Sequence, residues 1–562
     1  MTFRKTPFLY RLCLGAAVLL GLAKAPQAKW LTVHNDFIVY DTEGNAVHTR
    51  SGCLRKFGST YYWYGSANGF SNQMCYSSTD LLHWTNKGVV IVAAGTNRMD
   101  VLYNDSTKLY VMFLKTGSSS ACDLGIATSP TPDGKFTLVG NNKVQGSPIG
   151  DMSVWQDTDG KAYLAYVWDS IPGANSGGVS QHALALLSPD YQSVSKRMWL
   201  WNAGSREGTT VMKAHGLYYY ISSLTLWTQS TESQYYTATN PAGPWTTKLQ
   251  PILVPGNTKN NSWDTQSDFV FNFNGPKDTV YMYGGDRWEK PDPARLGDYA
   301  WLPISFTPKD TLLINYYQDW EVDPDAGTWR AFDLKRNLAL HKTADASSSS
   351  GSNTPNNVTD STTWQNYSNT KWVSGDGDSQ WIRVDLGSPM PVNRVILKWD
   401  SSYAKAFKIQ VATDTAAWKD VYTCAAMGPR SLTDETFATT TARYVRMLAT
   451  QKGGPAGYTL FDFMVLNDTG VTVGLSRPGT GFAPSKAAIS FDRNVLRYSV
   501  PAGLSVKLEA VDGRGKRVAV LAEGFMPAGQ YEAALPRNLG HGMYLIRLTA
   551  GAQKLASLRI RL

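Results

Sequence analysis

DMSVWQDTDGKAYLAYVWD, residues 151–169, reads as strand, turn, strand. Asp157-Thr158-Asp159-Gly160 supplies residues that tolerate tight-turn dihedrals, and the run after it stacks aromatic and β-branched side chains as a half-buried pleat requires. The same sentence recurs four more times. YYWYGS (61–66) follows Gly58-Ser59-Thr60, and LYVMFLK (109–115) follows Asn104-Asp105-Ser106. YYYISSL (218–224) follows His215-Gly216, and VYMYGGDRW (280–288) follows Gly275-Pro276-Lys277-Asp278. Each run is the second strand of a hairpin. Further echoes at Ser77, Ala127, Leu186 and Ala238 mark additional strands, giving about four short strands per unit at a period of about 50–60 residues. Such units cannot bury both faces alone and close on their neighbours, so residues 30–335 are expected to form a five-bladed β-propeller.

The chain of 562 residues is long enough for several domains, at roughly 150 residues each. Its 19 Trp, 29 Tyr and 19 Phe, with charged residues at only 18%, exclude a disordered or coiled-coil chain. The net charge of +9 has no long basic run behind it, so nucleic acid is not an expected partner. Arg4, Lys5 and Arg11 precede an apolar run and small residues, the pattern of a signal peptide over residues 1–28. No later stretch reaches the twenty apolar residues of a membrane span, and the product is expected to be secreted or held at the cell surface, as a monomer. Cys53, Cys75, Cys122 and Cys424 form no CxxC pair; one disulfide among the first three and free buried thiols both stay open.

Composition changes after Arg336. A Ser/Asn-rich entry loop leads into short strands (381–387, 394–399, 406–414, 442–448, 457–467), a β-sandwich over residues 336–468. A Gly/Pro-rich linker (469–485) precedes a small all-β unit, 486–562, whose ending, GMYLIRLTAGAQKLASLRIRL, resembles C-terminal sorting or immunoglobulin-like domains. The whole is all-β: propeller, sandwich, small C-terminal sandwich. Phosphate-loop, HExxH, EF-hand and GxSxG patterns are absent. Acidic and amide groups at strand ends among Trp and Tyr remain, and they suit sugars, because aromatic faces stack on pyranose rings while a carboxyl protonates a glycosidic oxygen.

RKFGSTYYWYGSA (from Arg55), VLYND (Val101), DMSVWQDTDGKAYLAY (Asp151), SREGTTVMKAHGLYYYISS (Ser205) and GGDRWEKPDPARLGDYAWLPISF (Gly284) together resemble glycoside hydrolase family 43, in its exo-β-1,3-galactanase-like branch. The resemblance implies an inverting exo-acting galactosidase acting on arabinogalactan-type polysaccharide, with Glu207 as general acid and Asp151 supporting its pKa or binding substrate. The usual base, an early Asp, is replaced by Ser51; the branch's own substitute corresponds to Gln266. A second acidic position reads Asn97, with Asp100 the nearest carboxylate. Asn97, Tyr103, Trp63, Trp227, Asp286, Arg287 and Trp288 are the candidate substrate contacts. The alternatives are an α-L-arabinofuranosidase or galactofuranosidase of the same superfamily, and, since Ser51 and Asn97 replace acids, a carbohydrate-binding propeller without catalysis. No cofactor is expected for catalysis. The second unit is similar to discoidin, or family 32 carbohydrate-binding, domains; this implies a sugar site at Trp364, Tyr367 and Trp372 and allows a structural calcium.

Overall fold

The structure is a computed structural model that describes residues 30–561, apart from 68–71, 93–97, 118–121, 147, 169–180, 203, 227–228, 258, 260, 277, 289–296, 361–369, 430, 469–486, 493–494, 501–503, 527–528, 536–541 and 551–552. The signal-peptide expectation and Asn97, Trp227, Trp364 and Tyr367 lie outside the described residues. The described chain is nearly all strand, with two short 3₁₀ turns and no helix long and apolar enough to cross a membrane.

Residues 50–314 fold into five consecutive four-stranded antiparallel sheets, spanning 50–92, 99–142, 149–202, 206–251 and 266–314. Their second strands, Thr60–Ser66, Leu109–Thr116, Ala162–Trp168, Leu217–Leu224 and Thr279–Asp286, are the aromatic runs of the sequence. The first strand of each sheet touches the first strand of the next, and the fifth touches the first, which closes a ring. The side-chain period of two explains the closure, since neighbouring residues on one strand serve different partners. Trp63 joins an apolar cluster with Phe269 and Trp301 of the fifth sheet, whereas Tyr64 packs with Val101 and Met112 of the second. Equivalent clusters lie between the second and third, third and fourth, and fourth and fifth sheets.

One element was not foreseen as part of a blade's exterior. Leu31–His34 pairs with Asp319–Asp323, which pairs with Thr328–Ala331, in a separate three-stranded sheet. This sheet carries the junction to the sandwich. Arg394 donates to Asp434, Asp468 and the Thr32 hydroxyl, while Lys398 Nζ lies 2.8 Å from Asp319. His34 donates or accepts between Asp319 (2.7 Å) and Asp434 (2.9 Å). Buried charges so far from water persist because each is paired.

In the sandwich, the two runs expected at 381–387 and 394–399 are one strand, Trp381–Trp399, and the run at 442–448 is part of a longer one, Leu432–Lys452; register shifts interrupt their pairing, and Ala404–Ala412 and Thr459–Leu466 stand as separate strands. After the linker, a three-stranded and a four-stranded sheet complete the chain. Cys53, Cys75, Cys122 and Cys424 are all free and buried.

Candidate active site

The first strands of the ring begin irregularly. Register shifts fall between Arg50 and Cys53, Ile149 and Met152, Glu207 and Thr210, and Ser267 and Phe269. A bulge re-aims side chains that regular alternation would send into a neighbouring sheet. Backbone strain gathers at the same level: Ser51 (φ 52°), Arg98 (φ 60°), Trp263 (φ 60°) and Asp264 (φ 61°) are left-handed without being glycine. Gly208 (φ 61°) admits no side chain, since a Cβ there would stand 2.7 Å from the Ser267 carbonyl oxygen.

Arg98 is the hub. From the second sheet its Nε donates to Asp151 of the third (3.0 Å), its Nη1 to Asp268 (2.5 Å) and its Nη2 to the Gln266 carbonyl oxygen (2.7 Å) of the fifth. Asp151 also accepts from Lys115 Nζ (3.2 Å) and from the Gly208 amide (2.9 Å), next to Glu207. Gln266 Nε2 donates to Glu207 Oε1 at 2.5 Å, and Trp288 Nε1 donates to Gln266 Oε1 at 2.9 Å. Arg50 lies over the Trp288 ring, 5.1 Å from its centre. At the seam between the last and first sheets, Asp286 accepts from the Ser51 amide (2.6 Å) and Asp268 from the Gly52 amide (3.1 Å).

Three cations, Arg98, Lys115 and Arg50, therefore act on four carboxyl groups. Burial, then Asp151, pushes the Glu207 carboxyl up to about 8 against Arg98 and Lys115. Burial lifts Asp286 to about 6, against the Ser51 amide and Arg98. Burial and the adjacent Asp286 push Asp268 well above the carboxylate range. Asp151 goes the other way: burial alone would raise it, but Arg98 and Lys115 hold it well below its ordinary value. Glu207 is thus favoured as the protonated form at neutral pH beside the Asp151 carboxylate, which is how environment assigns acid and base roles to chemically identical groups.

Glu207, Gln266, Asp151, Asp286 and Trp288 are brought together here. Other expectations are corrected. Gln266 does not face Glu207 across a water molecule, because its amide bonds the carboxyl directly. Arg98 and Trp288 offer only N–H donors, so the Gln266 oxygen must face them and its nitrogen must face Glu207. Trp63 is fully buried, its ring 4.7 Å from Trp301 and 4.6 Å from Tyr299, and is core. Tyr103 packs on Tyr110 (4.9 Å) near the far end of the strand that Arg98 precedes. Arg287 is buried and donates to Asp36 at 2.9 Å, anchoring the segment before the ring rather than entering the site. Asp100 accepts from Arg55 (2.8 Å) and the Val154 amide (2.9 Å) at the junction of three sheets. In the sandwich, Trp372 is fully buried with Nε1 on the Ser348 carbonyl oxygen (2.9 Å), so it is core and no sugar platform.

Sequence reasoning missed Arg98, Lys115 and Asp268. Arg98 stands between the named Asn97 and Asp100, and a lone Arg just before an apolar strand was the available signal. Among the described residues no three His, Cys, Asp or Glu side chains gather as a metal would need, so no residues are assigned to the calcium that the resemblance allowed.

A protonated carboxyl at the mouth of a closed ring, oriented by a locked amide, is the equipment of glycosidic bond cleavage. Residues 52–295 match Glycosyl hydrolases family 43, and residues 343–462 match the F5/8 type C domain. The chain is a glycoside hydrolase, with a family 43 domain followed by an F5/8 type C domain. A curated relative, β-D-galactofuranosidase xynD of Aspergillus niger, is 24% identical over 242 residues, 38% of this chain and 68% of the relative. The solved exo-β-1,3-galactanase of Clostridium thermocellum is 20% identical, with 90% of this chain and 100% of that one covered and a TM-score of 0.48. The chitosan-binding module 1 of a Paenibacillus sp. chitosanase/glucanase is 43% identical, over 23% of this chain and 98% of that one, with a TM-score of 0.22.

Proposed function

We propose that the protein is a secreted, inverting exo-β-1,3-galactosidase, built on a five-bladed propeller, that removes galactose from the non-reducing end of a β-1,3-galactan. The observation that carries this reading is Glu207, whose carboxyl is lifted to about 8 and fixed by an amide that Arg98 and Trp288 hold in one orientation. An acid so placed gives its proton to the leaving glycosidic oxygen at neutral pH. Asp151 keeps that proton on Glu207 by its negative charge, while Trp288, half-buried at the rim, offers a face to a pyranose ring. The galactan preference rests on the motifs that run through all five sheets. The F5/8 type C unit is proposed to bind glycan and bring the ring to it. The name of the Aspergillus niger relative favours a second reading, hydrolysis of galactofuranosides, in which the same acid serves a five-membered ring.

The test is product analysis of the purified protein with β-1,3-galactan, arabinan and a galactofuranose-containing glycan, alongside Glu207→Gln. Free galactose from the galactan, released as the α-anomer and abolished in the variant, is the expected result. Release as the β-anomer refutes inversion, and release from another glycan alone refutes the galactan preference.

A further inference from the structure

We infer that Asp286, together with Ser51, holds the hydrolytic water and takes its proton, supplying the base that the site otherwise lacks. This rests on the inverting reading above, which requires a group on the face of the sugar opposite Glu207. Gln266 is not that group: both ends of its amide are spoken for, the oxygen by two donors and the nitrogen by the acid itself.

The seam between the first and fifth sheets has what Gln266 lacks. Asp286 Oδ2 accepts from the Ser51 amide at 2.6 Å, while Asp286 Oδ1 and Ser51 Oγ are both buried without a hydrogen-bond partner. Those atoms are two and three covalent bonds from the same N–H···O contact, so they stand within a few ångströms of one another. Two residues earlier, Thr49 Oγ1 is also buried and unpartnered. Orphaned polar atoms are costly unless a water serves them, and a buried water characteristically takes about three such partners. Ser51 reaches this position only through its left-handed backbone, a strain that persists where the surrounding structure enforces it.

Placement supports the pairing with Glu207. Gln266 and Asp286 are cross-strand partners in the fifth sheet. From that shared level the Gln266 side chain reaches toward the fourth sheet and Glu207, and the Asp286 side chain toward the first sheet and Ser51. The two carboxyl groups thus stand on either side of the Gln266 side chain, whereas an inverting pair needs roughly 6.5–9.5 Å for sugar and water between them. The electrostatics agree. With Asp286 lifted to about 6 and Glu207 to about 8, one is a carboxylate and the other an acid at neutral pH.

The step balances. The water oxygen bonds the anomeric carbon as the bond from that carbon to the glycosidic oxygen breaks. Glu207 gives its proton to the departing oxygen, and the water gives one to Asp286 Oδ1. Solvent then resets both groups.

The experiment uses whichever glycan the full-length protein hydrolyses, so a wrong sugar and a wrong base are told apart. Asp286→Asn should lower kcat by about 10²–10⁴-fold with KM within a few-fold, and should erase the acidic limb of the pH profile near 6. Sodium azide should restore turnover in this variant and yield a glycosyl azide of inverted configuration, which a merely structural aspartate would not permit. Should Asp286→Asn fail to fold, Ser51→Ala and a high-resolution crystal structure of the unaltered protein decide. A water on Ser51 Oγ and Asp286 Oδ1, with a lowered kcat in Ser51→Ala, supports the assignment. Wild-type kcat in Asp286→Asn, or in Ser51→Ala without that water, overturns it and leaves the hydrolase reading standing.

Discussion

Replacing Asp151 by Asn tests the electrostatics of the acid directly. The carboxylate of Asp151 bonds the amide next to Glu207 and its charge raises the Glu207 carboxyl; two like charges at a separation of about 6 Å and an effective dielectric near 20 repel by about 3 kcal/mol, or about two pKa units. Asparagine keeps the shape and an oxygen for the Gly208 amide but loses the charge, and it frees Arg98 and Lys115 to act more strongly on Glu207. The Glu207 carboxyl should therefore fall from about 8 toward about 6. At pH 7 its protonated fraction drops from about nine-tenths to about one-tenth, an activity loss of about tenfold that is only partly recovered near pH 6, where the acidic limb set by Asp286 begins. The assay is kcat/KM from pH 4.5 to 9.5 for both proteins, with circular dichroism to establish that the variant is folded. An alkaline limb that stays near 8 in a folded Asp151→Asn protein refutes the reasoning, and so does one that moves upward.

Other consequences can be measured as readily. Trp288→Phe removes one of two donors from the Gln266 oxygen, so kcat should fall several-fold with a small change in stability, about 1 kcal/mol; an unchanged kcat would mean that Arg98 alone orients the amide. His34, raised by Asp319 and Asp434 despite burial, contributes stability that is complete below its ordinary value near 6.5 and is lost as pH rises through the raised one. The thermal midpoint should accordingly decline on the alkaline side, and His34→Phe should flatten that decline in a calorimetric pH series. Trp372→Ala should cost about 3–5 kcal/mol through the cavity it leaves in the sandwich, read as a lowered unfolding midpoint; a midpoint within a degree of the unaltered protein would place Trp372 outside the core.

The ring was legible because its rule is repeated: polar turn, aromatic strand, echo. Each repetition reinforced the period, and the second strands fell where the runs stand. Glu207 and Asp151 were legible only through motifs. What escaped was whatever depends on contacts between distant segments. Trp63 and Trp288 both stand in the aromatic runs, yet one is sealed between sheets and the other, just past its strand, reaches Gln266; composition of the run does not distinguish them. Tyr103 was misjudged for the related reason that composition does not say which end of a strand faces the mouth of the ring. Arg98 escaped because its importance comes from two sheets that are 53 and 170 residues away along the chain. The pairing of 31–34 with 319–323 is equally remote, and four residues carry too little pattern to announce a partner.

The seam joining the fifth sheet to the first has a consequence for how the enzyme comes into being. Every sheet of the ring is made from consecutive strands, so each can form as the chain leaves the ribosome, but the amides of Ser51 and Gly52 wait for Asp286 and Asp268. A nascent or truncated chain ending before residue 286 has Glu207 and four of the five sheets, and no finished centre. The centre is complete only when the last sheet has docked on the first.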